Sequence, residues 1–84
     1  MSKAKFKPAT VRAALALIKD HGGARAFGLS DRLTEAHGAS FTRKFGQHRV
    51  RIGGVYAASK ISLVAALEQW CRAARRRLLK EGGS

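Results

Sequence analysis

Apolar residues recur at helical spacing in two long segments of the chain. The set nearer the amino terminus consists of Val11, Ala14, Leu15 and Ile18. Its spacings of three, one and three residues are typical of the buried face of one helix. Pro8 suits the first turn of such a helix, where the N–H that proline lacks has no intrahelical partner. The pattern therefore predicts a helix from Ala9 to His21, with Pro8 in its first turn, ended by Gly22 and Gly23.

The set nearer the carboxyl terminus consists of Leu63, Leu67, Trp70, Ala74 and Leu78. Its spacings of four, three, four and four place these side chains on one helical face, with charged residues on the other. Ser59 is the predicted N-cap, and the helix is expected to end at Gly82-Gly83. The apolar face suits an intrachain core or the seam of a homodimer, so both remain open.

A shorter helical pattern lies between these two, in the segment LSDRLTEAHG. Its apolar face is formed by Leu29, Leu33 and Ala36. Ser30 is a candidate N-cap and Gly38 a candidate C-terminal stop, so we predict a short second helix here. Phe27, in the connector that precedes it, is assigned to the core.

Strict alternation of polar and apolar residues marks the segment His48 to Ile52. Val50 and Ile52 are apolar, while Arg49 and Arg51 are polar. On a strand the two pairs point to opposite faces, so one face packs on the helices and the other presents guanidinium groups. The Gly53-Gly54 pair that follows indicates a turn or a bulge.

The residues just before this strand have two interpretations. Phe41 and Phe45 are four apart, a spacing that suits a helical face as well as a strand. We favour a strand that pairs with Arg49 to Ile52 through a turn at Gly46-Gln47, and we assign both rings to the core. The side on which Arg43 lies depends on which interpretation holds. The alternative for both rings is stacking on nucleic-acid bases, and for Tyr56 the two interpretations, core and stacking, are equally favoured.

Together these elements predict an α+β fold: an N-terminal helix, a short second helix, a basic β-hairpin and a long C-terminal helix. Eighty-four residues suffice for one small domain. We expect it to span residues 8–81, between a flexible basic arm of residues 1–7 and a flexible tail of residues 82–84. The predicted core consists of Val11, Leu15, Ile18, Leu33, Val50, Ile52, Leu63, Leu67 and Trp70.

The charge of the chain is strongly positive and unevenly distributed. Lys and Arg number 17 against 5 Asp and Glu, a formal net charge of +12. Residues 36–67 contain no acid at all. Such a chain repels itself and usually has a polyanionic partner, of which nucleic acid is the commonest. An anionic membrane surface and an acidic protein surface are the other classes.

The predicted nucleic-acid contacts lie in the hairpin and in the last helix. They are Arg43, Lys44, His48, Arg49, Arg51, Arg72, Arg75, Arg76, Arg77 and Lys80. Arginine predominates, and its guanidinium group suits bidentate contact with phosphate and with the edge of guanine. Lys3, Lys5 and Lys7 would add an electrostatic arm. If six to eight cations neutralise phosphates, the logarithm of the binding constant should fall with a slope of about −5 to −7 against log salt on DNA.

Catalytic chemistry has little support in the sequence. His21, His37 and His48 lie in separate segments, and the single Cys71 cannot complete a zinc spacing with them. Asp31 and Glu35 suit a solvated helical face, and the glycine pairs lack phosphate-loop spacing. We therefore predict no enzyme, no metal and no cofactor. One cysteine and the absence of a secretory leader favour a reducing cytoplasmic setting, with Cys71 as a packed, inert thiol.

Two family resemblances follow from these segments. A hairpin followed by SLVAALEQWCRAARRRL looks like the small sheet-plus-helix domains that bind arm sites in phage-type integrases and that occur in plant AP2-type factors, which implies a sheet in the major groove. The segment HGGARAFGLSDRLTEAHGASFTRKF with the basic hairpin resembles a winged helix-turn-helix with Gly38 at its turn. The second departs from its pattern at Arg43 and Lys44, where a recognition helix buries an aliphatic residue. Neither resemblance extends over the whole chain, and we assign the chain to neither family.

The predicted function is non-enzymatic binding of nucleic acid, with DNA favoured over RNA and both left open by the sequence. The alternative is a small basic interaction or inhibitor protein, for example phage-encoded, that docks on an acidic protein surface or a nucleoprotein complex. A membrane-surface helix at residues 59–80 is less favoured, because its apolar face is needed for the core.

Overall fold

The structure is a computed structural model that describes residues 6–23, 25 and 28–82. Phe27, Lys3 and Lys5, for which the sequence makes predictions, lie outside the described residues. The described chain has the predicted α+β architecture. Its elements are α1 (Pro8–Asp20), α2 (Leu29–His37), β1 (Ser40–Lys44), β2 (Gln47–Ile52), β3 (Val55–Ser59) and α3 (Leu63–Gly82).

The sheet has three antiparallel strands in the order β1-β2-β3, one strand more than the predicted hairpin. The additional strand follows Gly53-Gly54, where the chain reverses in a two-residue turn with both φ angles positive. Glycine tolerates this geometry, which matches the twist of the flanking strands. The first turn falls at Phe45-Gly46, one residue before the predicted position.

The winged helix-turn-helix alternative is wrong for this chain. After α2 ends at His37, the residues Ser40–Lys44 form a strand rather than a recognition helix. Phe41 pairs with Val50 across this strand and packs against the core. Antiparallel pairing with β2 extends over the whole of Ser40–Lys44, so tertiary contacts favour a strand here.

The core lies between one face of the sheet and the helices, and α3 packs along that face. Nearly all of the predicted core is buried, and Leu15 and Leu63 are half-buried against it. Trp70 is fully buried, and its indole N–H donates a hydrogen bond to the carbonyl oxygen of Val55. The apolar face of α3 is therefore occupied within the chain.

Two helix caps differ from the predictions. The N-cap of α3 is Ser62, whose Oγ accepts a hydrogen bond from the N–H of Ala65 at 3.0 Å. Ser59 instead ends β3 and accepts from the N–H of Ile61, because the third strand occupies the residues where the helix was expected to begin. Helix α2 begins after Gly28 with no side-chain cap, so Ser30 lies inside it.

The last two residues of the predicted basic arm contact the domain. The N–H of Lys7 donates to the carbonyl oxygen of Gly53 at 2.8 Å, and Phe6 packs against the core. This contact joins the start of α1 to the turn between β2 and β3. Across the described residues, none of the helices combines the length and the apolar character needed to cross a bilayer.

Candidate nucleic-acid interface

The pairing register divides the side chains of the sheet between two faces. One face carries Phe41, Val50, Ile52, Val55 and Ala57, and it packs on the helices. The other face, which we call the outer face, carries Ser40, Thr42, Lys44, Gln47, Arg49, Arg51, Tyr56 and Ala58. The predicted orientation of Arg49 and Arg51, opposite to Val50 and Ile52, is therefore confirmed.

The outer face consists of cross-strand rows that contain no acid. Arg51 lies directly opposite Ser40 on one side and Tyr56 on the other. Arg49 likewise lies between Thr42 and Ala58. Directly opposed side chains in an antiparallel sheet are about 5 Å apart at Cβ, so these guanidinium groups lie among hydroxyls and an aromatic ring. The rows combine cations, hydrogen-bonding groups and one ring on a single surface.

Arg49 has a hydrogen-bond donor that the described residues leave unsatisfied. Its Nε is shielded from solvent and has no acceptor there. The side chain lines a small cavity of about 80 Å³ on the outer face, together with Thr42, Arg51 and Tyr56. A shielded donor without an acceptor is energetically unfavourable. An acceptor oxygen supplied from outside, on a phosphate or a base edge, would satisfy it.

The predicted hairpin contacts do not all lie on the outer face. Lys44 lies there with Arg49 and Arg51, but Arg43 and His48 oppose each other on the helix-facing side. His48 also opposes Ser59 on that side. The sequence left the side of Arg43 undecided between a strand and a helical turn. Because Ser40–Lys44 is a strand, Arg43 lies on the same face as Phe41. The exposed Arg43 therefore lies on the helix-facing side, near the turn between β1 and β2, and not on the outer face.

The cations of α3 lie on the opposite side of the domain. Trp70 and Ala74 are buried towards the sheet, and Arg72 lies two residues from each, about 200° around the helix. The exposed group, which we call the helix face, consists of Arg72, Arg75, Arg76 and Lys80. Since α3 covers the inner side of the sheet, one straight duplex on the outer face does not reach the helix face.

Arg77 is separate from the rest of this group, contrary to the prediction that placed it beside them. It lies two turns after Trp70 and so on the same side of α3 as that residue. Its guanidinium carbon is 4.7 Å from the centroid of the Phe6 ring. Such a geometry is a cation–π contact that holds the chain entering α1 against the end of α3.

Phe45 contradicts its predicted burial. Its side chain is 83% exposed, whereas Phe41 packs against the core as expected. The reason is the turn: Phe45 lies between β1 and β2 with a φ of 53°, so its ring does not continue the inward face of the strand. The ammonium group of Lys44 lies 5.6 Å from the ring centroid.

One cleft beside the outer face was missed by the sequence reasoning. It has a volume of about 490 Å³ and includes Lys7, Thr10, His37, Ser40 and Arg51 in its lining. These residues come from the start of α1, the end of α2 and two strands, and no spacing in the sequence relates them. The cleft extends the outer face from Arg51 to the N-terminus of α1, whose first turn contains no acid.

Other polar groups have structural surroundings. The Nδ1 of His21 is hydrogen-bonded to the carbonyl oxygen of Leu17 at 3.0 Å, at the end of α1. Burial raises the pKa of the Cys71 thiol, Arg75 lowers it and Glu68 raises it. Within the parts of the chain that the structure describes, no three His, Cys, Asp or Glu side chains are grouped to hold a metal ion.

Comparison of the chain with protein-family models, with curated protein sequences and with solved structures finds no significant match. Functional inference therefore depends on the geometry and charge of the faces themselves.

Proposed function

We propose that this protein is a non-enzymatic DNA-binding domain that places the outer face of its sheet in the major groove. The observation that carries the proposal is the pair Arg49 and Arg51, which project from an exposed sheet face in a segment without a single acid. Guanidinium groups bind phosphate and the O6 and N7 atoms of guanine in bidentate fashion. The unsatisfied Nε of Arg49 adds a donor that such an acceptor would complete.

The width of the sheet favours duplex DNA over duplex RNA. Three antiparallel strands span about 10 Å between their outer backbones, since neighbouring strands are about 4.8 Å apart. The major groove of B-form DNA is about 12 Å wide, which is comparable to this backbone width. The corresponding groove of A-form RNA is deep and too narrow for side chains to read.

The cleft at Lys7 and Arg51 provides a place for the phosphate backbone at the groove edge. It adjoins the outer face through Ser40 and Arg51. The positive end of the α1 dipole faces this region, and Thr10 contributes a hydroxyl. A phosphate seated there would fix the register of the duplex, while Arg49 and Arg51 approach the base edges.

The cellular setting that we propose is the reducing cytoplasm, in which the single buried Cys71 remains a thiol. The rival function is an interaction or inhibitor protein that uses the same cations against an acidic protein or a nucleoprotein complex. The helix face supports this rival, because its cations point away from the proposed DNA and are therefore available to an acidic protein surface.

The test is a salt-titrated gel-shift assay on random-sequence DNA and RNA with two matched double reversals. The variant Arg49→Glu/Arg51→Glu alters the outer face, and Arg72→Glu/Arg76→Glu makes the same change in net charge on the helix face. We expect the first to abolish binding and the second to weaken it modestly. If Lys44, Arg49 and Arg51 of the outer face and Lys7 of the cleft neutralise about four phosphates, the salt slope on DNA should be about −3.6.

Two results would contradict the proposal. If the wild-type protein binds neither nucleic acid at about 100 mM salt, the DNA-binding function is lost and the interaction protein takes its place. If both reversals weaken binding equally, net charge rather than the outer face determines affinity.

A further inference from the structure

The sheet has two tight turns of the same length, and their residues differ in one position. Gly53-Gly54 joins β2 to β3, and Phe45-Gly46 joins β1 to β2. All four residues have positive φ, from 53° at Phe45 to 85° at Gly54. Positive φ at both central positions is typical of a type I′ turn, for which Asn-Gly and Gly-Gly are the favoured pairs. Phenylalanine is therefore an unfavourable residue at the first position.

Phe45 gains little from folding that would offset this strain. A bulky residue at positive φ is a conformational outlier, and such outliers are concentrated at binding and catalytic sites. Its ring is 83% exposed, so burial contributes little to stability. The contact of the ring with Lys44, at 5.6 Å, is exposed and correspondingly weak. The fold alone does not explain an aromatic ring at this turn.

The surroundings of the ring are basic and apolar. The end of β3 pairs beside this turn, since His48 is opposite Ser59, so Lys60 and Ile61 leave the sheet at the same end. Ile61 is 84% exposed. No acid occurs anywhere in residues 36–67. The turn thus presents an exposed ring beside the ammonium group of Lys44, at the end of the sheet where β1 joins β2.

We propose that Phe45 is a nucleobase-stacking residue, held outward by the strained turn so that its ring stacks on a base of the DNA bound on the outer face. The inference rests on the proposed function and adds a contact that the arginines cannot make. Lys44 belongs to the outer face and adjoins the ring, so a duplex on that face passes the turn. Pyrimidine–purine steps of duplex DNA unstack easily, and an aromatic ring stacks on a base exposed at such a step.

Replacement of Phe45 separates this role from a structural one. Phe45→Asn restores a favoured turn residue, so we expect a higher melting temperature together with an affinity for DNA lowered by about tenfold. Phe45→Leu keeps a bulky side chain at positive φ but removes the aromatic ring. We expect it to melt like the wild type and to bind about as weakly as Phe45→Asn.

A fluorescence variant tests the stacking directly. Trp70 is the only tryptophan and is fully buried, so bound DNA should leave its emission unchanged. In Phe45→Trp the introduced indole is exposed, and we expect random-sequence duplex DNA to quench its emission and to protect it from acrylamide. A 2-aminopurine in the duplex should brighten on binding of the wild type and less on binding of Phe45→Asn.

The outcomes distinguish this inference from the proposed function. Wild-type affinity in Phe45→Asn, or unquenched emission in Phe45→Trp with DNA bound, overturns the stacking role and leaves DNA binding intact. Failure of the wild type to bind DNA removes both. If Phe45→Asn instead loses binding to vesicles rich in anionic lipid while its DNA affinity is unchanged, the ring serves a membrane surface and the proposal is wrong.

Discussion

Trp70 and Val55 are joined by a hydrogen bond from the indole Nε1–H to the backbone carbonyl oxygen, 3.1 Å long and fully buried. The bond fixes the middle of α3 to the first residue of β3. It thereby couples the helix to the strand that the sequence pattern did not identify. Because the outer face includes residues of β3, this bond also holds part of the candidate interface in place.

We expect Trp70→Phe to lower the free energy of unfolding by about 2 kcal/mol, from the lost hydrogen bond and the cavity left by the smaller ring. Urea denaturation followed by circular dichroism measures the change. Tyr56→Phe removes a polar group from a ring that is 53% exposed, and it should alter stability little. Equal effects of the two changes would contradict the role of Trp70.

Ser62→Ala should destabilise the domain by about 1 kcal/mol, because the N–H of Ala65 loses the acceptor that caps α3. Ser59→Ala is the matched control, since the Ser59 hydroxyl accepts a hydrogen bond from the exposed N–H of Ile61, before the helix begins. Chemical denaturation of both variants compares them. A larger effect at Ser59 would place the start of the helix where the sequence pattern predicted it.

Gly53→Ala should destabilise the domain more than Gly46→Ala. Both residues have positive φ, so each change introduces strain of about 1 kcal/mol. At Gly53 an added Cβ would also lie 2.7 Å from a methyl group of Val11, whereas nothing lies within 4 Å of one at Gly46. Thermal unfolding of the two variants measures the additional effect of the clash. Similar melting temperatures would show that α1 adjusts to the methyl group.

Stability should fall above pH 9.0 in a way that depends on Cys71. Burial raises the thiol pKa from its ordinary value of 9.0, so the folded chain keeps a proton that the unfolded chain has lost. The stability that the protonated thiol contributes is complete below pH 9.0. It is lost as the pH rises from there through the higher pKa of the folded state. Urea unfolding at about pH 8 and about pH 10 should show a smaller decrease for Cys71→Ala than for the wild type. Parallel decreases would mean that the thiol is not shielded.

The sequence predicts the helices and the alternation of β2 well, because their patterns are local. Val11 and Ile18 repeat with the helical period, and Arg49 and Arg51 alternate with buried neighbours. The third strand was missed because VYAAS has no clear alternation. Its conformation comes from pairing with β2, which is a tertiary effect.

The candidate site was less predictable than the fold. The direction of Arg49 and Arg51 follows from strand geometry, but the separation of the helix face from the outer face depends on how α3 packs. The sequence likewise assigns Phe45 to the core by hydrophobicity, since a strained φ has no local signal at a phenylalanine. The cleft at Lys7 and His37 arises from segments that are distant in the sequence.

The position of cations on two opposite sides has a consequence for the approach to a polyanion. With Arg51 on one side and Arg72 on the other, cations attract a polyanion from both sides of the domain. Attraction then accelerates encounter without turning the molecule towards a particular side. The domain therefore reaches its correct orientation only after contact, by rotating or briefly dissociating on the polyanion. At that distance the outer face and the helix face differ in how their shapes fit the polyanion.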